Sequence, residues 1–254
     1  MEDNSQLFQI FKNTLLMMYR RGYEMSKFSK IFSRDLNYFN TVYDIEKILD
    51  KPNHTQQIFL DKDINRKSTR SMMSYIFKNS LKEKCLVYFA ELGNTQTMPS
   101  TEVAIISHIL NKEKDCFNVV IISPGDLHVG TANRIEELAA TNIYKINIFF
   151  DKDMLYDPIF SLYSSNIEKI VPNKEAVEIV NDNKLTMNQI PKQASGDIIS
   201  RYFGISNGSL VLYKRNSMIS NSLIDENYYY RTIINRDLDK QKAKPKPKVK
   251  DEEK

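Results

Sequence analysis

A continuous apolar run at residues 119–122 and a second run at 146–150, apolar but for Asn147, flank a stretch with helical patterning, and this arrangement constrains the fold more than any other feature of the chain. Pro124 and Gly125 break the first run, and residues 131–141 carry the helical pattern. Neither run keeps a polar–apolar alternation along its length, as expected of strands buried on both faces. Strand, helix, strand with short connections predicts a right-handed crossover between parallel strands. Upstream, residues 85–90 read as another strand. A turn at Gly93 and Asn94 follows, then a helix opening near Ser100 or Thr101 with Val103, Ile106 and Ile109 or Leu110 on one face. The expected class for residues 1–164 is therefore α/β.

A helix is also expected at the start. Asp3 and Gln6 have capping-box spacing, Leu7, Phe11, Leu15 and Met18 recur at helical intervals, and Arg20, Arg21 and Gly22 supply a closing signal. Residues 23–84 give weaker signals, with short aromatic clusters between polar turns. The charge-rich stretch 61–70 reads as an exposed segment.

Beyond residue 165 the character changes to a small α+β unit spanning residues 165–236. It contains a short helix at 175–180 and a second at 197–203, with Asp197 as N-cap and Gly204 as its left-handed end. Residues 210–213 and 228–234 read as two strands. A lone two-stranded ribbon of this size is marginal in water, which predicts docking on a larger partner. The segment 237–254, with its KAKPKPKVK run, cannot build a core and is read as a disordered Lys/Pro-rich tail.

With 41% hydrophobic residues, 14 tyrosines and 13 phenylalanines, the rest of the chain has the composition of a folded protein. Its net charge of +4 comes from 36 basic and 32 acidic residues, and half of it sits in the tail, where seven lysines face five acids. The folded body is thus near neutral, a weak signature for stand-alone nucleic-acid binding. Two unpaired cysteines, Cys85 and Cys116, argue against a disulfide framework or a cysteine-rich zinc site. No apolar run approaches the roughly 20 residues of a spanning helix, and the first residues are acidic and polar, so a soluble intracellular protein is expected, with no membrane partner.

The catalytic motifs are incomplete. GDLHVGT, residues 125–131, sits between a strand and a helix but lacks the lysine of a phosphate loop, and Thr131 reads better as a helix N-cap. Asp61, Asp63 and Asn65 open like a calcium loop, yet Arg66 and Met72 stand where glycine and glutamate are needed. His54, His108 and His128 have no metal-ligand spacing, and no nucleophile motif surrounds either thiol. Asp126, Glu136 and Glu137 could serve a metal-dependent nuclease, but the usual lysine two residues beyond the glutamate is replaced by Leu138 or Ala139. The expectation is no catalytic residue, no metal and no cofactor.

One pattern in the second unit is specific. IPKQASGDIISRYFG, residues 190–204, presents Pro191, Asp197, Arg201, Tyr202 and Gly204 in order. Gly208, the strand 210–213, Arg215 and the pair Tyr230 and Arg231 follow. This series resembles the assembly domain of the subunit-five family of eukaryotic-type multisubunit DNA-directed RNA polymerases and of its small archaeal counterpart. Val171, Pro172 and Lys174 resemble the family's entry to that domain with Asn173 interposed, and Arg20, Arg21, Gly22 and Tyr23 resemble the end of its first helix. Ile198 replaces the family's proline after the aspartate, and the connection from Arg215 to Arg231 is longer than usual, so the chain looks like a divergent member.

The resemblance implies a jaw domain at residues 1–164 lying beside downstream duplex DNA. It implies an assembly domain at 165–236 that joins the largest polymerase subunit, and no active site in this chain. The nine residues named in the series, from Pro191 to Arg231, are then candidates for the subunit interface, with Arg201, Arg215 and Arg231 meeting carboxylate or backbone acceptors within or across it. The location implied is the site of transcription: the nucleus for a cellular enzyme, a cytoplasmic viral factory or the virion for a viral one. Two other functions compete, an independent nucleic-acid-binding transcription regulator using the tail and the α/β face, and the nuclease considered above.

Overall fold

The structure, a computed structural model, describes residues 3–61, 64, 67–93, 96–141, 143–160, 166–215 and 227–234. The chain divides into two compact units, Met1–Phe160 and Ser161–Lys254. The boundary expected at residues 164 and 165 and the Lys/Pro-rich stretch 237–254 lie outside the described residues.

Unit 1 opens with α1 (Asn4–Arg20). Asp3 caps it by accepting from the Ser5 amide, and Gly22, at φ +84°, ends it. There the Tyr23 amide reaches the Met18 carbonyl and the Gly22 amide reaches that of Tyr19, the paired bonds of a Schellman turn. A 3-10 turn, Ser26–Phe28, runs into α2 (Ser29–Ser33). Then come α3 (Leu36–Val42), α4 (Ile45–Asp50), α5 (His54–Phe59) and α6 (Thr69–Met72). The sheet and its helices follow as β1 (Tyr75–Lys78), β2 (Lys84–Phe89), α7 (Ser100–Lys112), β3 (Cys116–Ser123), α8 (Val129–Ala140), β4 (Lys145–Phe150) and α9 (Asp151–Met154).

The strands are ordered β1-β2-β3-β4, with β1 antiparallel to β2 and the other pairs parallel. The α/β reading of this region is correct: β2 and β3 are almost wholly buried, whereas the edge strand β4 is mostly half-buried. Phe11 of α1 anchors one layer, with ring centroids 5.1 Å from Tyr43, 5.9 Å from Phe89, 6.0 Å from Phe39 and 6.1 Å from Phe28. Fully burying such a ring is worth about 3 kcal/mol, so α1 is held by its face rather than by intrinsic propensity.

Two expectations for this unit are corrected. Residues 61–70 do not form a wholly exposed segment, because Arg70 is 2% exposed. Its Nε donates to the Ala90 carbonyl at 2.6 Å and its Nη atoms to both Asp151 carboxylate oxygens at 2.8 and 2.6 Å, which makes the charge tolerable inside. Thr131 is not the N-cap of α8. His128 is, through Nδ1 accepting from the Gly130 amide, while Thr131 is buried and donates to the Met98 carbonyl.

Unit 2 contains β5 (Asn166–Val171), α10 (Asn173–Asp182), β6 (Lys192–Ala194), α11 (Ile198–Tyr202), β7 (Leu210–Arg215) and β8 (Asn227–Ile234). The expected two-stranded ribbon is instead a four-stranded mixed sheet ordered β5-β7-β8-β6. β7 is antiparallel to β5 and β8, and β6 is parallel to β8. One hydrophobic cluster gathers Val171, Ala176, Val180, Ile190 and Leu210; another gathers Ile205, Val211, Tyr213 and Ile233. In β7 the clusters claim alternate residues, so both faces of the sheet are packed.

Candidate functional site

Most of the nine sequence candidates in unit 2 have structural roles. The Pro191 carbonyl accepts from the Thr232 amide, which sets β6 beside β8. Asp197 caps α11, its Oδ1 accepting from the Ile199 amide at 2.9 Å and from Gln193 Nε2 at 3.1 Å. Arg201 donates from Nε to the Gly196 carbonyl at 3.0 Å, bracing the turn that leads into α11. Tyr202 is wholly buried against Phe203, with ring centroids 5.4 Å apart. Gly204, at φ +60°, closes the helix as its amide reaches the Arg201 carbonyl and the Ile205 amide reaches that of Ser200. Gly208, at φ +83°, turns the chain into β7 and donates to the Ile233 carbonyl. Only glycine adopts these two conformations without strain. Tyr230 packs on the first hydrophobic cluster. Arg215 ends β7 opposite Asn227, and its side chain lies outside the described residues.

Arg231 differs from these. It sits opposite Val211 on the sheet face that also carries Tyr213 and Tyr229, which pair with each other. The two tyrosine rings stack at 5.5 Å and 15°, and the guanidinium carbon lies 5.3 Å from the Tyr229 centroid and 5.9 Å from that of Tyr213. Cation–π attraction thus fixes the guanidinium. Its Nε is buried and finds no acceptor, and the hydroxyl of Tyr213, a residue only 2% exposed, also lacks a hydrogen bond of ordinary geometry. The neighbouring Gln193 carboxamide already donates to Asp197 and to Ser200 Oγ at 3.0 Å. Burial pushes the Tyr213 phenol up to about 12, so it remains a proton donor at neutral pH.

No protein-family model matches the chain, and no curated protein sequence matches it significantly.

The tyrosine pair around Arg231 was missed in the sequence. Its signal was there, in Tyr213 and the run Tyr228, Tyr229, Tyr230, but only the β7–β8 register brings Tyr213 and Tyr229 together.

The rejected chemical motifs in unit 1 have clear placements. Between β3 and α8, the GDLHVGT loop is occupied by its own chain: the Met98 amide donates to the Asp126 main-chain carbonyl, the His128 amide donates to the Met98 carbonyl, and a Cβ on Gly125 would meet the Gln96 carbonyl at 2.7 Å. Asp126 is exposed before α8, while Glu136 and Glu137 are exposed about 12 Å further along that helix, at ~1.5 Å per residue. Among the described residues, no group of three His, Cys, Asp or Glu converges as a metal site. Asp61 pairs with Lys112, and Asp63 and Asn65 lie outside the described residues. Cys85 and Cys116 are buried free thiols pushed up to about 12 and about 11 by desolvation, which leaves them protonated and poor nucleophiles at neutral pH. Among the described residues, no helix is long and apolar enough to cross a membrane.

Proposed function

We propose that the chain is a non-catalytic subunit of a multisubunit DNA-dependent RNA polymerase. In this reading unit 2 is the assembly domain that joins the largest subunit, and unit 1 is a jaw domain beside downstream duplex DNA. It acts at the site of transcription, in the nucleus, a viral factory or a virion according to its source.

One observation carries the reading. The residues of the resemblance, spread from Pro191 to Arg231, fall into one sheet and its capping helix, and their identities suit their positions. The aspartate is an N-cap, both glycines take positive φ, and the final arginine lies on a face with unmet donors. A chance match of residue types would not be expected to meet those separate requirements together.

The test is purification of the native complex through a tag on the full chain. Stoichiometric recovery with the two largest polymerase subunits is the expected result, and recovery only as free protein overturns the proposal. A fragment of residues 165–236 should retain the association. Loss of binding by that fragment while it remains folded would move the interface to unit 1.

A further inference from the structure

We infer that a groove in unit 1, bounded by the Ser26–Phe28 turn, α3, α4, the start of α5 and β1, docks a short acidic segment of a partner protein that carries apolar side chains between its carboxylates. The inference does not depend on the assembly role proposed for unit 2.

Two adjoining pockets of about 350 and about 400 Å³ make the groove, and Lys27, Phe28 and Tyr75 line both. The smaller has an apolar floor, where Phe28, Ile31, Tyr43 and Ile48 are buried and Val42, 39% exposed, presents its side chain to solvent. Its lining holds Lys27, Lys47 and Lys51 and no carboxylate. The larger adds Lys78 and Lys84 against Glu24 and Glu113, and Glu113 is already met by Lys84 at 2.8 Å. Five lysines thus face two glutamates along the groove, and one of those glutamates is neutralised within the fold.

These cations are within reach of a partner, since Lys27, Lys47, Lys51 and Lys78 are all exposed. The Nζ of Lys27 lies 3.2 Å from the Tyr75 hydroxyl and meets no carboxylate, and Lys47 has only an exposed pair with Asp44 at 3.7 Å. Lys51 and Lys78 have no ion pair among the described residues. Single exposed lysines are ordinary. A row of them around an open apolar hollow attracts anions and offers burial for an apolar group in the same place.

A peptide with carboxylates around an apolar residue uses both features: the apolar side chain enters the smaller pocket beside Val42, and the flanking carboxylates meet the lysine rim. A single-stranded nucleic acid would use the charge, but its bases need successive open ring faces on which to stack. The rings here are committed to one another. Phe28 and Phe77 stand edge-on or steeply inclined to Tyr75, with centroids 4.9 and 5.2 Å away, and Tyr43 packs on Phe11 and Phe39. That leaves Tyr38 as the one aromatic ring of the described lining outside such contacts.

The test is fluorescence anisotropy of the full chain with a labelled peptide of about 12 residues, extending to about 40 Å, in which aspartate and glutamate alternate with phenylalanine and leucine. One control peptide carries asparagine and glutamine in place of the acids, and another carries alanine in place of phenylalanine and leucine. A labelled thymidine oligonucleotide is the nucleic-acid probe, and thermal unfolding of each protein variant is measured alongside. The first peptide should bind saturably and at least about tenfold more tightly than either control. Lys27→Gln with Lys51→Gln should weaken it about three- to tenfold. Lys67→Gln with Lys114→Gln removes the same charge from exposed positions outside both pockets and should leave binding unchanged. Val42→Glu sets a carboxylate at the apolar floor and should weaken binding at least about tenfold while unfolding at the wild-type temperature. No saturable binding below about 1 mM, or equal binding of either control peptide, overturns the inference. Equal losses in the two lysine pairs overturn it as well, because net charge alone would then explain the binding. Tighter binding of the oligonucleotide that is lost with Lys27→Gln and Lys51→Gln assigns the groove to nucleic acid and also overturns it. None of these outcomes bears on retention with the large polymerase subunits, so the inference and the assembly role fail separately.

Discussion

Replacing Asp151 by asparagine should destabilise unit 1 more than removing the arginine it pairs with. Arg70 is 2% exposed at its side chain, and Asp151 is 21% exposed. Asp151→Asn removes the carboxylate that both Nη atoms meet and leaves a guanidinium inside the protein, and an arginine cannot escape that state by losing a proton. The expected cost is about 3–5 kcal/mol, the range for breaking a buried ion pair by removing one partner. Arg70→Met leaves a carboxylate that can reach water, an unmet Ala90 carbonyl, and an Ile122 carbonyl that keeps its bond from the Ala90 amide. Its cost should be nearer about 2 kcal/mol. The double variant, with neither charge, should be more stable than Asp151→Asn alone, a coupling of about 2 kcal/mol between the two positions. Because the chain has two units, the measurement should be native-state hydrogen exchange at the amides of Val120 and Ile121 in β3, whose opening reports unit 1. A cost below about 1 kcal/mol for Asp151→Asn, or additive losses in the double variant, would refute the idea that the pair compensates a buried charge.

Other expectations concern pH and backbone conformation. Cys85, Cys116 and Tyr213 have folded-state values raised by burial to about 12, about 11 and about 12, against ordinary values of 9.0, 9.0 and 10.0. The folded state therefore favours their neutral forms. That stability is intact below about pH 9 and is lost as pH rises through the folded values. Melting temperature followed from pH 8 to 11.5 should fall steadily, and a flat profile would contradict the burial of these groups. Among glycine-to-alanine changes, Gly125→Ala should be the most damaging, because its Cβ would lie 2.7 Å from the Gln96 carbonyl. Gly208→Ala has open space but φ +83°, and should cost about 1 kcal/mol from conformation alone, whereas Gly196→Ala meets nothing and should be neutral or stabilising by about 0.5 kcal/mol. Urea denaturation of the three variants would expose any other order.

The centre of unit 1 was legible because its strands are continuous apolar runs. β3 lies between two parallel neighbours, so its burial on both faces appears directly as the unbroken run at residues 119–122. The helices between residues 29 and 72 were not legible, since elements of four to seven residues are too short for a 3.6-residue period to repeat. Their starts were marked all the same. Asp35, Asp44, Asn53 and Ser68 each accept a backbone amide as N-caps, and reading caps before periodicity would have found those four helices. Arg70 was hidden for another reason. It ends a charge-rich stretch, and the carboxylate that permits its burial is 81 residues away in sequence.

In unit 2 the missed elements change the argument for a partner. β5 pairs with β7 through a register shift between Ile167 and Lys169, which broke its alternation, and β6 is three residues long behind a proline. Once both are present, the ribbon that seemed to need a partner for stability becomes a four-stranded sheet with a hydrophobic cluster on each face, more than the three strands with one apolar face that independent stability in water requires. Incomplete packing is therefore no longer a reason to expect docking. What remains is local and polar. Arg231 Nε, the Tyr213 hydroxyl and Thr232 Oγ1 are all buried without partners on one strand pair, in a unit whose other sequence candidates have internal roles where their side chains are described. Destabilising unit 2 is therefore not a test of the proposed interface, because the sheet does not need a partner to hold together.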